Sequence, residues 1–282
     1  MDRKNQITMP PLWIWVLLLL IACLASVYVY EYGKTSITRE YLSREKYIQN
    51  GFDTARGRPV VLLIGTSLFE SGLDSSGKIA ACLAEQGKNV VLLKLWKRAV
   101  KLSAFVLNMP VLKTVHPALV VVEANMLFYR PFDTIRFGYY ADVFRHLITL
   151  RGKKPGYMPD EKSGSGFTDI PVGYLRAGLI DTLDLQSFRL LAESWQKSGT
   201  RFLFINMPIE ASEEGKKWNS PDTANFMRNI CYLKQKLNFN FYRPGIQMNS
   251  GCFYDHAHMN KKGVSIFSPV ICKEIAKEIE GL

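Results

Sequence analysis

Apolar and polar positions follow two alternating regimes along this chain. Short β-branched runs at 59–64, 89–95, 118–123 and 201–206, with a weaker one at 239–242, predict strands. Between them, stretches near 77–86, 98–115, 132–150, 183–198, 222–236 and 263–280 carry helical periodicity. Strands that alternate with helices predict a parallel sheet covered on both faces, an α/β domain. Local punctuation agrees: Asp74 and Ser75 suit a helix start, Gly87 a helix end, and Pro117 and Pro208 mark strand boundaries. From Arg151 to Gly178 the rhythm breaks, with Pro155, Gly156, Pro159, Gly164, Gly166, Pro171 and Gly173. A loop that long is either part of a substrate cleft or an inert surface excursion.

Ahead of this domain lies a different pattern. Leu12 to Tyr30 is uncharged and apolar throughout. As a helix it covers roughly 28 Å at about 1.5 Å per residue, enough to span a bilayer. Trp13 and Trp15 at one end, and Tyr28, Tyr30 and Tyr32 at the other, place amphipathic rings where headgroups would lie. A cleaved signal peptide is the first rival, although the run is long for one. A lipoprotein-like cleavage site at Leu20-Ile21-Ala22-Cys23 is the second. Apolar residues that continue past Cys23 favour an uncleaved anchor. The expected organisation is a tail at 1–11, a transmembrane anchor at 12–30, a polar stalk with a short helix at 31–57, and a catalytic domain at 58–282. The positive flanks do not decide orientation: Arg3 and Lys4 precede the span, while Lys34, Arg39, Arg44 and Lys46 follow it.

With 282 residues and 48% apolar composition, the chain can bury one good core. The net charge of +11 suits an acidic partner, but no nucleic-acid motif accompanies it. That leaves anionic headgroups or an acidic polysaccharide. If their segment is helical, Lys94, Lys97, Arg98 and Lys101 share one face, either a solvated surface or a contact for an anionic polymer. Beyond Cys23 stand Cys82, Cys231, Cys252 and Cys272, whose spacing is no metal-site pattern. Buried free thiols are expected, with a Cys231–Cys252 bridge as the alternative. No metal or cofactor is expected.

Two short pieces carry the candidate chemistry. Gly65-Thr66-Ser67 directly follows the first apolar run, and Asp255-His256-Ala257-His258 lies near the C-terminus. A serine beyond a strand end with a late Asp-x-x-His suggests a nucleophile, its base and the base's orienter. Each has a plainer reading: a turn serine, a structural carboxylate–imidazole pair.

The pieces also resemble a known family. Leu63-Ile64-Gly65-Thr66-Ser67-Leu68 is similar to the first block of the SGNH/GDSL hydrolase superfamily, with Thr66 in place of the usual aspartate. Asp255 through Gly263 resembles its last block, and Val120-Val121-Val122-Glu123-Ala124-Asn125 its third. The resemblance implies a three-layer α/β/α flavodoxin-like fold. In it Ser67 attacks an ester carbonyl, His258 (rather than His256) exchanges the proton, Asp255 orients the imidazole, and Asn125 with the Ser67 amide stabilises the oxyanion. Glu123 reads as a strand-end charge rather than an acid catalyst. One departure stands out: Lys94 to Val100 holds no counterpart of the family's second-block glycine.

A membrane-tethered member with a divergent first block resembles exported O-acyltransferases and esterases that edit bacterial cell-surface polysaccharides. The implied activity is O-acetyl transfer through an acyl-serine, with an esterase or an inactive polysaccharide-binding or assembly protein as alternatives. The implied partners are an acyl donor, a polysaccharide acceptor, the membrane and a membrane-embedded acyl-transfer partner. The implied location is the inner membrane, single-pass, with the domain periplasmic or extracytoplasmic.

Overall fold

β1 (Val60–Gly65), β2 (Val91–Trp96), β3 (Leu119–Glu123), β4 (Arg201–Ile205) and β5 (Asn240–Tyr242) form one sheet in the order β2-β1-β3-β4-β5. The computed structural model describes residues 10–96, 102–127, 182–220 and 222–280. Every strand pair is parallel, with Leu62 opposite Leu93 and Val120 in the central ladders. This is the flavodoxin-like strand order, and it reverses direction between β1 and β3, where ligands of open α/β sheets bind beyond the carboxyl ends of the strands. Ser67 lies two residues beyond the end of β1, after Thr66, and Glu123 ends β3.

Both faces of the sheet are covered, as the largely apolar central strands require. On one face Val61, Leu63, Val121 and Leu203 join Ile79 and Leu83 of α3 (Ser76–Glu85) and Phe267, Ile271 and Ile275 of the C-terminal helix in one buried cluster. On the other, Phe202 stacks on Trp195 and Phe204 meets Phe188 edge-on. Trp195 and Phe188 belong to α5 (Thr182–Lys197), and the Trp195 indole donates to the carbonyls of Leu112 and Val115. The remaining helices are α2 (Ser67–Gly72), α4 (Leu102–Asn108), α6 (Ala211–Trp218), α7 (Asp222–Lys234) and α8 (Lys261–Ile279).

The chain divides into two compact units, Met1–Tyr41 with Asp133–Met158, and Leu42–Phe132 with Pro159–Leu282. In the first, the described residues belong mostly to α1 (Leu12–Asp53), whose Leu12, Trp13, Trp15, Leu19, Leu24 and Val27 are exposed. The described side chains of this apolar part run from Leu12 to Tyr28. Among the described residues no helix is long and apolar enough to cross a membrane.

Residues 44–53, expected in a stalk, dock instead on the sheet unit. Ile48 is fully buried, Glu45 accepts from the Val111 amide, and Gly51 lies so close to Leu93 that a Cβ there would overlap it. The cysteines also correct the expectation: Cys82 of α3 and Cys272 of α8 are joined by a disulfide, while Cys231 and Cys252 are free. The helix expected at 98–115 is broken into α4 and a 3-10 turn at Pro110–Lys113. The stretch at 132–150 and the loop from Arg151 to Gly178 lie outside the described residues.

The start of α8 explains the Asn-x-x-Gly tail. Asn260 accepts from the amides of Lys262 and Gly263 and donates to the carbonyls of Gly251 and Phe253, so one side chain caps the helix and pins the preceding loop. A Cβ at Gly263 would overlap the Cys252 carbonyl oxygen, a backbone atom that a rotamer change cannot clear. Gly263→Ala is therefore expected to cost about 1–3 kcal/mol. The urea midpoint should fall while the slope stays constant.

Candidate active site

Ser67 opens α2, where Thr66 caps the helix by accepting from the Leu68 amide. Its neighbours Thr66, Leu68 and Phe69 are buried, whereas Ser67 is half-buried, so the turn presents the serine to solvent. As the first residue of a helix, Ser67 also holds one of the backbone N–H groups that intrahelical bonding leaves over.

The Asp255–His258 segment is a closed turn. Asp255 Oδ1 accepts from the amides of Ala257 and His258 at 2.8 and 2.7 Å, and Oδ2 meets His258 Nδ1 at 2.8 Å. Tyr254 N–H donates to the His258 carbonyl, and Phe253 bridges Met259 in antiparallel fashion. On the far side of the ring, His258 Nε2 lies 2.9 Å from Ser67 Oγ. A hydroxyl near the start of the domain and an imidazole near its end thus share a hydrogen bond.

Protonation follows from the partners. Burial pushes the Asp255 carboxyl up, but the hydrogen bond and charge of His258, with the two backbone amides, outweigh it and hold the group below the ordinary carboxylate range. An ionised carboxylate only accepts, so His258 Nδ1 carries a proton, and in the neutral ring Nε2 turns its lone pair to the serine hydroxyl. That is the tautomer a general base requires.

The other expected site residues are placed differently. Asn125 is buried, and its amide is committed to Met207: it donates to the Met207 carbonyl at 3.2 Å and accepts from the Met207 amide at 2.6 Å. An amide group matches a backbone N–H and C=O pair, so Asn125 clamps the end of β4 and makes no hydrogen bond to Ser67. Lys94 is no helix-face cation. It lies within β2 and its ammonium donates to the carbonyls of Leu73 and Asp74, because the run Val91-Leu92-Leu93 pairs with β1 and carries Lys94 with it. Burial lowers Lys94 to about 8, against the charges of Asp74 and Glu70. Lys97, Arg98 and Lys101 lie outside the described residues. His256 turns away to Glu210, with Nδ1 3.7 Å from a carboxylate oxygen. Among the described residues no cluster of His, Cys, Asp and Glu could hold a metal ion.

Glu123 is the residue that periodicity undervalues. It ends the apolar strand β3 and is 1% exposed, beneath the serine turn. Its Oε2 accepts from the amides of Thr66 and Phe69 at 2.6 and 3.3 Å, and its Oε1 accepts from the Thr66 hydroxyl at 2.7 Å. The available signal is a carboxylate closing an otherwise apolar strand, in a chain whose serine turn lacks one.

A cavity of about 410 Å³ lies beyond β4 and β5, lined by Pro208, Ile209, Trp218, Arg243 and Gln247 among others. The Arg243 guanidinium sits 3.9 Å from the centre of the Trp218 ring. Its wall is tied to the histidine turn, since the Glu210 amide donates to the His256 carbonyl.

Comparison with known proteins gives structural likeness only. No family model matches the chain, and no curated protein matches it. Among solved structures, the psychrotrophic esterase EstA of a Pseudoalteromonas species, inhibited by monoethylphosphonate, is 12% identical, with a TM-score of 0.44 over 79% of this chain and 99% of that one. A GDSL-like lipase from Bacteroides thetaiotaomicron is 11% identical, with a TM-score of 0.43 over 85% of this chain and 99% of its own. An active site mutant of a family two carbohydrate esterase from Clostridium thermocellum is 10% identical, with a TM-score of 0.38 over 79% and 65%. What this chain does is therefore read from its own residues.

Proposed function

We propose that this chain is a serine-dependent acyl-transfer enzyme, and specifically a membrane-anchored O-acetyltransferase of a cell-surface polysaccharide. The observation that carries the reading is the unbroken hydrogen-bonded path from Ser67 Oγ through His258 to Asp255. In the first half-reaction the Ser67 oxygen attacks the ester carbonyl carbon while His258 Nε2 takes the hydroxyl proton. Collapse of the tetrahedral adduct breaks the bond to the leaving alcohol, which receives that proton, and an acyl-serine remains. In the second half an acceptor hydroxyl gives its proton to His258 and attacks the acyl carbon, the bond to Ser67 Oγ breaks, and the serine oxygen takes that proton back from His258. The Ser67 amide is the proposed oxyanion donor.

Water as acceptor makes the same machinery an esterase, and this second reading uses the same geometry throughout. The sugar acceptor is supported by the net charge of +11 and by the cavity lined by Trp218 with the Arg243 guanidinium stacked over its ring, which neither Ser67 nor His258 lines and which joins the histidine turn through Glu210. Export and anchoring are supported by the exposed apolar side chains from Leu12 to Val27 and by the Cys82–Cys272 disulfide, a bond of oxidising compartments.

The test treats the full-length chain in detergent with a serine-directed phosphonate. Labelling that disappears in Ser67→Ala is expected, and undiminished labelling of that variant, or none of the folded wild type, leaves the binding-protein alternative. An aryl acetate donor with an acidic oligosaccharide then separates acyl transfer from hydrolysis, by whether acetate is found on sugar or free.

A further inference from the structure

Glu123 sits where a carboxylate is costly. It is 1% exposed at the end of β3, and burial pushes its carboxyl up, against the hydrogen bonds from Thr66 and Phe69 and the charge of His258 that favour the ionised form. A buried group of this kind is ordinarily matched by partners, and here nearly all the partners belong to one turn. Thr66 supplies its amide and its hydroxyl, and Phe69 supplies its amide. All three donate, so the acceptor-only carboxylate satisfies them at once. Lys217, a buried lysine bonded to Asn206 Oδ1 at 2.8 Å, adds a cation whose charge interacts with Glu123.

Ser67 stands between the two anchored residues. With the Thr66 amide, the Thr66 hydroxyl and the Phe69 amide all drawn to Glu123, the backbone on both sides of Ser67 is fixed from β3. Thr66 Oγ1 in turn accepts from the Leu68 amide, extending the same anchor one residue further. The 2.9 Å approach of Ser67 Oγ to His258 Nε2 depends on that backbone, because the hydroxyl has only one bond of reach.

We propose that Glu123 is a positioning residue for the Ser67 nucleophile, acting through Thr66 and Phe69 without touching the substrate. The inference rests on the reading of Ser67 as nucleophile given above. It assigns the carboxylate that orients the serine turn to the end of the third strand rather than to the turn itself.

Three variants of the full-length chain separate acceptor geometry from mere bulk. Glu123→Gln keeps an oxygen for the two amides and turns its NH2 toward the Thr66 hydroxyl oxygen, so phosphonylation of Ser67 should stay within about tenfold of wild type. Glu123→Leu keeps the volume and offers no acceptor, and the rate should fall on the order of 100-fold, in kcat for an aryl acetate with KM unchanged within about twofold. Thr66→Val removes the hydroxyl arm to Glu123 together with the cap on the Leu68 amide, and should cost about tenfold. Amide hydrogen exchange over Gly65–Glu70 gives a readout independent of chemistry: it should quicken in Glu123→Leu and stay near wild type in Glu123→Gln.

Glu123→Leu reacting as fast as wild type, or losing rate only through KM, overturns the proposal. Should that variant fail to fold, Thr66→Val and Glu123→Gln decide: a Thr66→Val rate equal to wild type overturns it, and the graded loss supports it. A folded wild type that no phosphonate labels removes the nucleophile reading and this inference with it. An exchange pattern altered as expected, with labelling that depends on Ser67 but ignores Glu123, removes the inference alone.

Discussion

Ser67→Ala and His258→Ala should each lower hydrolysis of an activated ester by about 10⁴-fold or more, and the double variant should be no slower than either single one. Non-additivity follows from the geometry. In the first step His258 Nε2 takes its proton from the Ser67 hydroxyl 2.9 Å away, so neither group forms the acyl-serine without the other. Asp255→Asn should fall less far, by about 10²–10⁴-fold, since the amide can still accept from the Ala257 and His258 amides that hold the turn while it no longer selects the productive tautomer. Initial rates at saturating ester, with circular dichroism to verify the fold, measure all four proteins. A double variant much slower than both singles would mean that the two side chains act on separate steps.

The same ester assay bears on pH. Asp255 is held below the ordinary carboxylate range in the folded protein, so the stability it contributes is present above its unfolded value and is lost as pH falls through the lower folded one. Acid inactivation through this residue therefore lies below the ordinary carboxylate range, and Asp255→Asn should remove that part of the acid limb of the melting curve.

Element type and placement are legible in the sequence because the strands are buried on both sides. Val60–Gly65 reads as an unbroken apolar run and Leu119–Glu123 as one closed by a single carboxylate, and the structure bounds them within a residue or so of expectation. Helix α6 is not legible, since Ser-Glu-Glu-Gly-Lys-Lys has no apolar period. It stands on its cap at Glu210 and on Trp218, whose indole donates to Glu214. Lys94 misleads for the converse reason: cations at helical spacing mimic a face, while the strand register that decides its place is a pairing with β1 distant in sequence. The spacing of Asp255 and His258 is local, so their contact is readable from an Asp-x-x-His turn. Their meeting with Ser67 is a property of tertiary packing, which buries Leu68 and Phe69 of α2 in one cluster with Phe267 and Ile271 of α8, and periodicity carries no information about such a contact. The hydrogen-bond partners of Asn125 and Glu123 are illegible for a related reason. Both stand at the end of β3, and only the direction of each side chain separates a clamp on Met207 from an anchor of the serine turn.

Replacing both Cys82 and Cys272 by Ser should destabilise the protein by about 3–5 kcal/mol, the largest stability effect expected of any change away from the site. The bond closes a loop of 190 residues, and in the chain-entropy description a loop of that order stabilises by roughly 5 kcal/mol through the restriction it places on the unfolded chain. At roughly 2–4 °C per kcal/mol for a domain of this size, the melting midpoint should drop by about 6–20 °C, and reductant should produce the same fall in the wild type but none in the double variant. Because the link joins α3 to α8 on one face of the sheet, it also holds the helix that begins directly after the histidine turn. Activity at temperatures well below both midpoints should nevertheless stay within about threefold, since the Asp255 turn is closed by its own backbone bonds and the serine turn by Glu123. Thiol titration of the denatured, unreduced wild type supplies the independent check: three reactive thiols from five cysteines are expected. Five would show that the chain matures without the bond, and would take away the support that the bond lends to an oxidising compartment.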